Sequence, residues 1–99
     1  VREFSYAVWG IVLSAAFYFE EAMSSQVPQA KLIAGIDIAA EGSFCDVDII
    51  KPDEIKNLPQ DTIIIVAAPT AQNPAKELLQ ETGRPFVLLK GTSAECYNF

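Results

Sequence analysis

The residues best placed for chemistry gather around one turn near the amino end. Gly10-Ile11-Val12-Leu13-Ser14-Ala15 follows the apolar run Phe4–Trp9. In the pyrophosphate-cradling pattern G-x-G-x-x-G/A, Gly10 fills the first position and Ala15 the third, and Val12 stands where the middle glycine belongs. That middle glycine lets the backbone approach the phosphates. A β-branched residue blocks the approach and resists a positive φ. Asp37 closes the second apolar run, where a carboxylate would accept the hydroxyls of a ribose. Gly10, Val12 and Asp37 therefore mark either a nucleotide site or an inherited turn plugged by Val12.

A second group is Ala68-Pro69-Thr70-Ala71-Gln72-Asn73, directly after the most β-branched run in the chain. This is the carboxyl end of an expected central strand, where ligands of open α/β sheets bind. Pro69, Thr70 and Asn73 are its candidate contacts. Thr70 and Asn73 offer neutral hydrogen-bonding groups, and the adjoining helix end favours an anion. Asn73 has an ordinary role as well, as the cap of a helix whose first residue is Pro74. The carboxylates of Asp46, Asp48, Asp53 and Glu54 could hold Mg²⁺ or move a proton. With Lys51 and Lys56 interleaved they read as a solvated face, so no metal site is expected. Cys45 has no cationic neighbour in sequence and reads as a poor nucleophile.

Composition narrows the chemistry further. The chain has no histidine, which removes the commonest general base and the usual zinc and triad arrangements. No catalytic pair can be assembled from neighbouring residues, so the catalytic residues stay unassigned. A net charge of −6 repels phosphate backbones and anionic lipid, which argues against nucleic acid and membrane surfaces as partners. The two cysteines form no CxxC pair, and free thiols in a cytoplasmic protein are the expected state. Phe4 to Phe19 is too short for a membrane span and runs into Glu20-Glu21. The chain begins Val1-Arg2-Glu3 without methionine, as a trimmed chain or a domain cut from a longer protein would.

The elements that must position these residues follow from periodicity. Hydrophobic residues make up 51% of 99 residues, enough for one domain with its own core, expected over 1–99. Phe4–Trp9 reads as a buried strand, and Leu13–Ser25 as a helix with Ala16, Phe19 and Met23 at helical spacing. Ala30–Ile38 is a second strand, apolar enough to be covered on both faces. Ala39–Asp46 reads as a loop and Val47–Ile50 as a short third strand of either direction. Pro52–Leu58 is a helical turn or two. A central strand starts at Ile63, a helix runs from Pro74 to a C′ glycine at Gly83, a fifth strand spans Pro85–Leu89, and a polar tail covers Lys90–Phe99. The order β-α-β-β-α-β-α-β predicts a Rossmann-like three-layer α/β/α domain with a mostly parallel five-stranded sheet. The link from the second strand to the third is short for a parallel crossover.

Two families share parts of this rhythm. The carboxyl half, ending GRPFVLLKGT, resembles a rhodanese-like domain, but the loop AAPTAQNP lacks the cysteine that sulfur transfer requires. Over nearly the whole chain, FSYAVWG, AKLIAGIDI, FCDVDIIKPDEI, DTIIIVAAP and AKELLQETG resemble the small Rossmann-like domain of bacterial sugar-modifying and polysaccharide-biosynthesis proteins. The resemblance rests on the glycine turn, the pair Ile36-Asp37 and the helix start Pro52-Asp53-Glu54-Ile55. It implies a nucleotide or nucleotide-sugar ligand at Gly10, Asp37 and the Pro69–Asn73 loop, with a fused catalytic domain as partner. The alternative expectation is a non-catalytic structural or oligomerisation domain with a closed nucleotide site. Phe4, Tyr6, Trp9, Phe17, Tyr18 and Phe19 are more rings than one strand and one helix easily bury, and some could form a homodimer face.

Overall fold

The structure, a computed structural model, describes residues 3–11, 14–90 and 93–99. Strand β1 (Phe4–Trp9) leads to helix α1 (Ser14–Gln26) and strand β2 (Ala30–Ile36). A hairpin of β3 (Ser43–Phe44) and β4 (Val47–Ile50) precedes a 3₁₀ segment, Pro52–Asn57, and β5 (Ile63–Val66). A 3₁₀ turn at Pro69–Ala71 runs into α2 (Gln72–Thr82), followed by β6 (Phe86–Lys90) and β7 (Ser93–Tyr97). One sheet contains all seven strands in the order β3-β4-β2-β1-β5-β6-β7.

The expected arrangement, five mostly parallel strands in a three-layer Rossmann-like α/β/α fold, is therefore corrected to a seven-stranded mixed sheet. The pairs β2–β4, β1–β2, β1–β5 and β5–β6 are parallel, but β3–β4 at one edge and β6–β7 at the other are antiparallel. Neither the link from β2 to β4 nor the link from β4 to β5 contains an α-helix, so helical cover is thinner than three full layers demand. The reason is length. Ten residues between β2 and β4 cannot hold a helical crossover, and the chain instead makes a hairpin whose central residues, Cys45 and Asp46, both have positive φ of 48° and 69°. That hairpin delivers β4 parallel to β2.

The polar tail is likewise corrected to a strand. β7 is exposed along most of its length, so no alternating apolar pattern marks it. It is held by the ladder to β6, by Tyr97 stacked on Phe86 at 4.8 Å, and by a 3.1 Å ion pair between Lys90 and Glu95. Leu13, Gly91 and Thr92 lie outside the described residues.

The central strands bury both faces, which explains their unbroken apolar sequence. Tyr6 and Val8 of β1 pack with Ile11, Ala16 and Phe44 on the α1 side. Ala7 and Trp9 pack with Ile36, Val66, Leu79 and Phe86 on the α2 side. Each such large apolar side chain contributes about 1.5–3 kcal/mol when fully buried. Arg84 is the one buried cation among the described residues, 2% exposed. Its guanidinium donates to the carbonyls of Pro59 at 2.5 Å, Ile55 at 3.2 Å and Leu58 at 3.4 Å, tying the end of the 3₁₀ segment to the start of β6.

Candidate functional site

The chain leaves β1 through α1 to β2 on one side and returns to β5 on the other. Ligands of open α/β sheets bind at such a reversal, beyond the carboxyl ends of the strands. A cleft of about 220 Å³ lies there, lined by Trp9 and Gly10 at the end of β1, Asp37 and Ile38 after β2, and Ala68, Thr70, Ala71 and Pro74 after β5.

Gly10 is built into this junction. Its φ is +93°, a region that glycine tolerates and other residues resist. A Cβ at this position would collide with the Cβ of Ala68 and stand 2.9 Å from the Ala68 nitrogen. The approach is fixed by backbone bonds: Gly10 N–H donates to Ile36 at 3.0 Å and Ala67 N–H to Trp9 at 2.9 Å. The glycine demanded by sequence pattern is thus needed for close contact between two strand ends, whatever the cleft holds.

Asp37 is 9% exposed, and its Oδ1 accepts from the N–H groups of Ala39 and Ala40, both at 2.9 Å. The carboxylate therefore orders its own loop. Lys51 reinforces that loop from behind, donating to the carbonyls of Ile38 at 3.0 Å and Ala40 at 3.4 Å. The second oxygen of Asp37 accepts no hydrogen bond among the described residues. Ile38 is 71% exposed at the rim, presented by a loop that four bonds hold in place.

Of the residues expected to bind a ligand, the structure brings Gly10, Asp37 and Thr70 to the cleft, and Pro69 and Asn73 do not line it. Val12 lies outside the described residues. Asn73 does not cap α2 either. The helix starts one residue earlier, at Gln72, continuing from the 3₁₀ turn, and Asn73 is exposed inside its first turn. Pro69, with its φ preset, starts this unit, and Pro74 is tolerated because an N–H at that position has no intrahelical acceptor. Gln72 is committed elsewhere, its Nε2 donating to Leu89 at 2.6 Å.

Sequence reasoning missed Ile38, read there as strand, and Lys51, read only as part of a charged face. The signal for Ile38 was an apolar residue directly after the strand-ending Asp37. Nothing local signalled Lys51, because its acceptors lie eleven and thirteen residues away.

Asp37 is the only charged residue lining the cleft among those described. The described residues contain no group of three or more His, Cys, Asp or Glu side chains that could hold a metal ion, and no helix long and apolar enough to cross a membrane. No protein-family model and no curated protein matches this chain.

Proposed function

We propose that this chain is a binding module that takes a nucleotide or nucleotide-sugar in the cleft between the Gly10 turn and the loop after β5. The observation that carries the reading is convergence: Gly10, Asp37 and Thr70, from the ends of three parallel strands, line one cleft at the point where the strand order reverses. Ligand pockets usually measure about 300–1,000 Å³, so a cleft of about 220 Å³ suits one ring system with the rest of the ligand on the surface. The second oxygen of Asp37 would accept a sugar hydroxyl, and the pinned Ile38 would offer its apolar surface to a ring. The resemblance to domains of sugar-modifying proteins supports the nucleotide-sugar class and a catalytic partner domain. The exposed thiols of Cys45 and Cys96 suit the cytoplasm.

Thermal unfolding with NAD, NADP, UDP-glucose or S-adenosylmethionine tests the reading. A ligand at a hundredfold excess over its dissociation constant adds about 2.7 kcal/mol. For a chain of this size that raises the midpoint by roughly 10–20 °C. Thr70→Trp, at an exposed position on the cleft wall, should fold and abolish the shift. Absence of a shift with all four ligands at millimolar concentration would remove the proposal.

A second reading, a non-catalytic interaction domain with a closed ligand site, draws on a separate observation. Phe17 is 54% and Tyr18 72% exposed, side by side on α1. Its homodimer form, which the like charges of Glu20 and Glu21 on the same helix oppose, predicts a dimer by light scattering, and a monomer at high concentration eliminates that form.

A further inference from the structure

A groove of about 600 Å³ runs between α1 and the tight turn joining β3 to β4. Its apolar part is Phe17, which meets Phe44 edge-on at 5.1 Å yet stays 54% exposed. Its rim carries Glu20 and Glu21 from α1 and Asp46 from the turn, with Ser24, Ser25 and Cys45 between them. No Lys or Arg among the described residues lines it. Glu20 is occupied, accepting from the buried Tyr6 hydroxyl and, at 3.1 Å, from Ser24. The carboxylates of Glu21 and Asp46 take part in no hydrogen bond or ion pair among the described residues.

The positions of these groups decide what kind of surface could cover them. A second copy pairing through α1 would bring two sets of Glu20, Glu21 and Asp46 face to face, and like charges in apposition oppose docking. The whole chain carries −6, which adds to that repulsion. A surface of opposite sign meets neither obstacle. The local field is visible at Cys45, whose thiol is pushed up by burial and then by the neighbouring Glu20 and Asp46.

From the exposed ring of Phe17 and the carboxylates of Glu21 and Asp46 beside it we infer that this groove docks a basic protein segment, one that sets an apolar side chain against Phe17 and Lys or Arg beside Glu21 and Asp46. The aromatic floor adds to charge a contact that Arg in particular exploits, since guanidinium groups stack on aromatic faces. This surface lies apart from the ligand cleft and does not depend on the ligand proposal.

The probe is a synthetic ten-residue peptide alternating Lys and Leu, with the same peptide carrying Glu for Lys as control. The readout is the alkylation rate of Cys45 by iodoacetamide, resolved from Cys96 by peptide mass spectrometry. Cys96, on β7, serves as internal reference because both thiols are exposed. The basic peptide should slow Cys45 and leave Cys96 unchanged, and the acidic peptide should slow neither. Glu21→Lys or Asp46→Asn should weaken the apparent affinity about three- to tenfold. Asn is a residue that tolerates the positive φ at this turn. Glu77→Lys makes the same charge change on the exposed face of α2 and should leave protection intact. Protection of both thiols, protection that survives Glu21→Lys, loss of protection with Glu77→Lys, or a self-associated chain in which Cys45 is already shielded would each overturn the inference. So would no protection at millimolar peptide.

Discussion

Replacing Gly10 by alanine should be among the most damaging single-atom additions in this protein. The new Cβ would sit on a backbone with φ of +93°. Such a conformation costs a non-glycine residue about 1–3 kcal/mol. The same atom would collide with the Cβ of Ala68 and lie 2.9 Å and 3.1 Å from the Ala68 nitrogen and Cα. Ala68 cannot easily withdraw. Ala67 N–H is bonded to Trp9 at 2.9 Å, and the Ala68 carbonyl accepts from Ala71 at 3.1 Å. Overpacking against so constrained a neighbour adds about 1–3 kcal/mol. The two costs total about 4 kcal/mol, out of the 5–15 kcal/mol typical of a domain. The thermal midpoint should fall by roughly 15–30 °C. Urea and thermal unfolding followed by far-ultraviolet circular dichroism would measure this, with the urea slope unchanged because the exposed surface is the same. Ala68→Gly removes the nearest of the three close atoms but neither the backbone contacts nor the φ cost, so the double variant should recover part of the loss, less than half. A loss below about 1 kcal/mol in Gly10→Ala would refute the reasoning, since it would fall short of the φ cost alone. So would a double variant no more stable than the single one.

Other perturbations probe the remaining supports of the fold. Arg84→Met removes three donations, yet Ile55 and Pro59 keep backbone donors in Leu58 and Thr62, and relief of a buried charge offsets part of the loss. The net cost should be about 2 kcal/mol, with faster hydrogen exchange at the Leu58 and Thr62 amides; unchanged exchange there would sink the tethering role. The Tyr6 hydroxyl titrates well above its ordinary range, through burial first and then its bond to Glu20. A raised acid contributes stability that is complete below the unfolded value of about pH 10 and is lost as pH rises through the folded value. Wild type should therefore lose more stability than Tyr6→Phe between pH 9 and pH 11, by urea denaturation, and parallel losses would contradict this (both pH values are about one unit either side of the unfolded value). Cys45 should react with iodoacetamide along a pH profile displaced upward from that of a simple thiol, because burial and then Glu20 and Asp46 disfavour its thiolate. Glu20→Gln should move the profile back down, and no movement would exclude Glu20 as a source.

Much of the element map was legible in residue order. The bounds of β1 and β4 agree with the apolar runs Phe4–Trp9 and Val47–Ile50, and α2 ends on Gly83, whose φ is +69°. These features are local: alternation, burial on both faces, and a residue that tolerates a left-handed turn leave marks in adjacent positions. The edge strands left none. β3 has two residues, and β7 is mostly exposed, so neither carries the periodicity that burial imposes. Asn73 illustrates a different failure. It is a good cap by type, but Pro69 offered an earlier start, and the chain continued from the 3₁₀ turn into α2 without using Asn73.

At the candidate site, residue order alone determined that Gly10 and Thr70 follow strands and that Asp37 stands at the end of one, because each interrupts an apolar run. Tertiary structure decided that they meet. β5 lies beside β1 rather than β4, so the loop carrying Thr70 returns to Gly10, and Asp37 arrives from the other flank. Tertiary structure also decided the number of strands, since pairing at an edge depends on a partner's free backbone groups and not on the strand's own side chains. Gly10 belongs to both accounts. Its type was readable from the turn, and its reason, the Ala68 backbone packed against it, belongs to a loop more than fifty residues further along the chain.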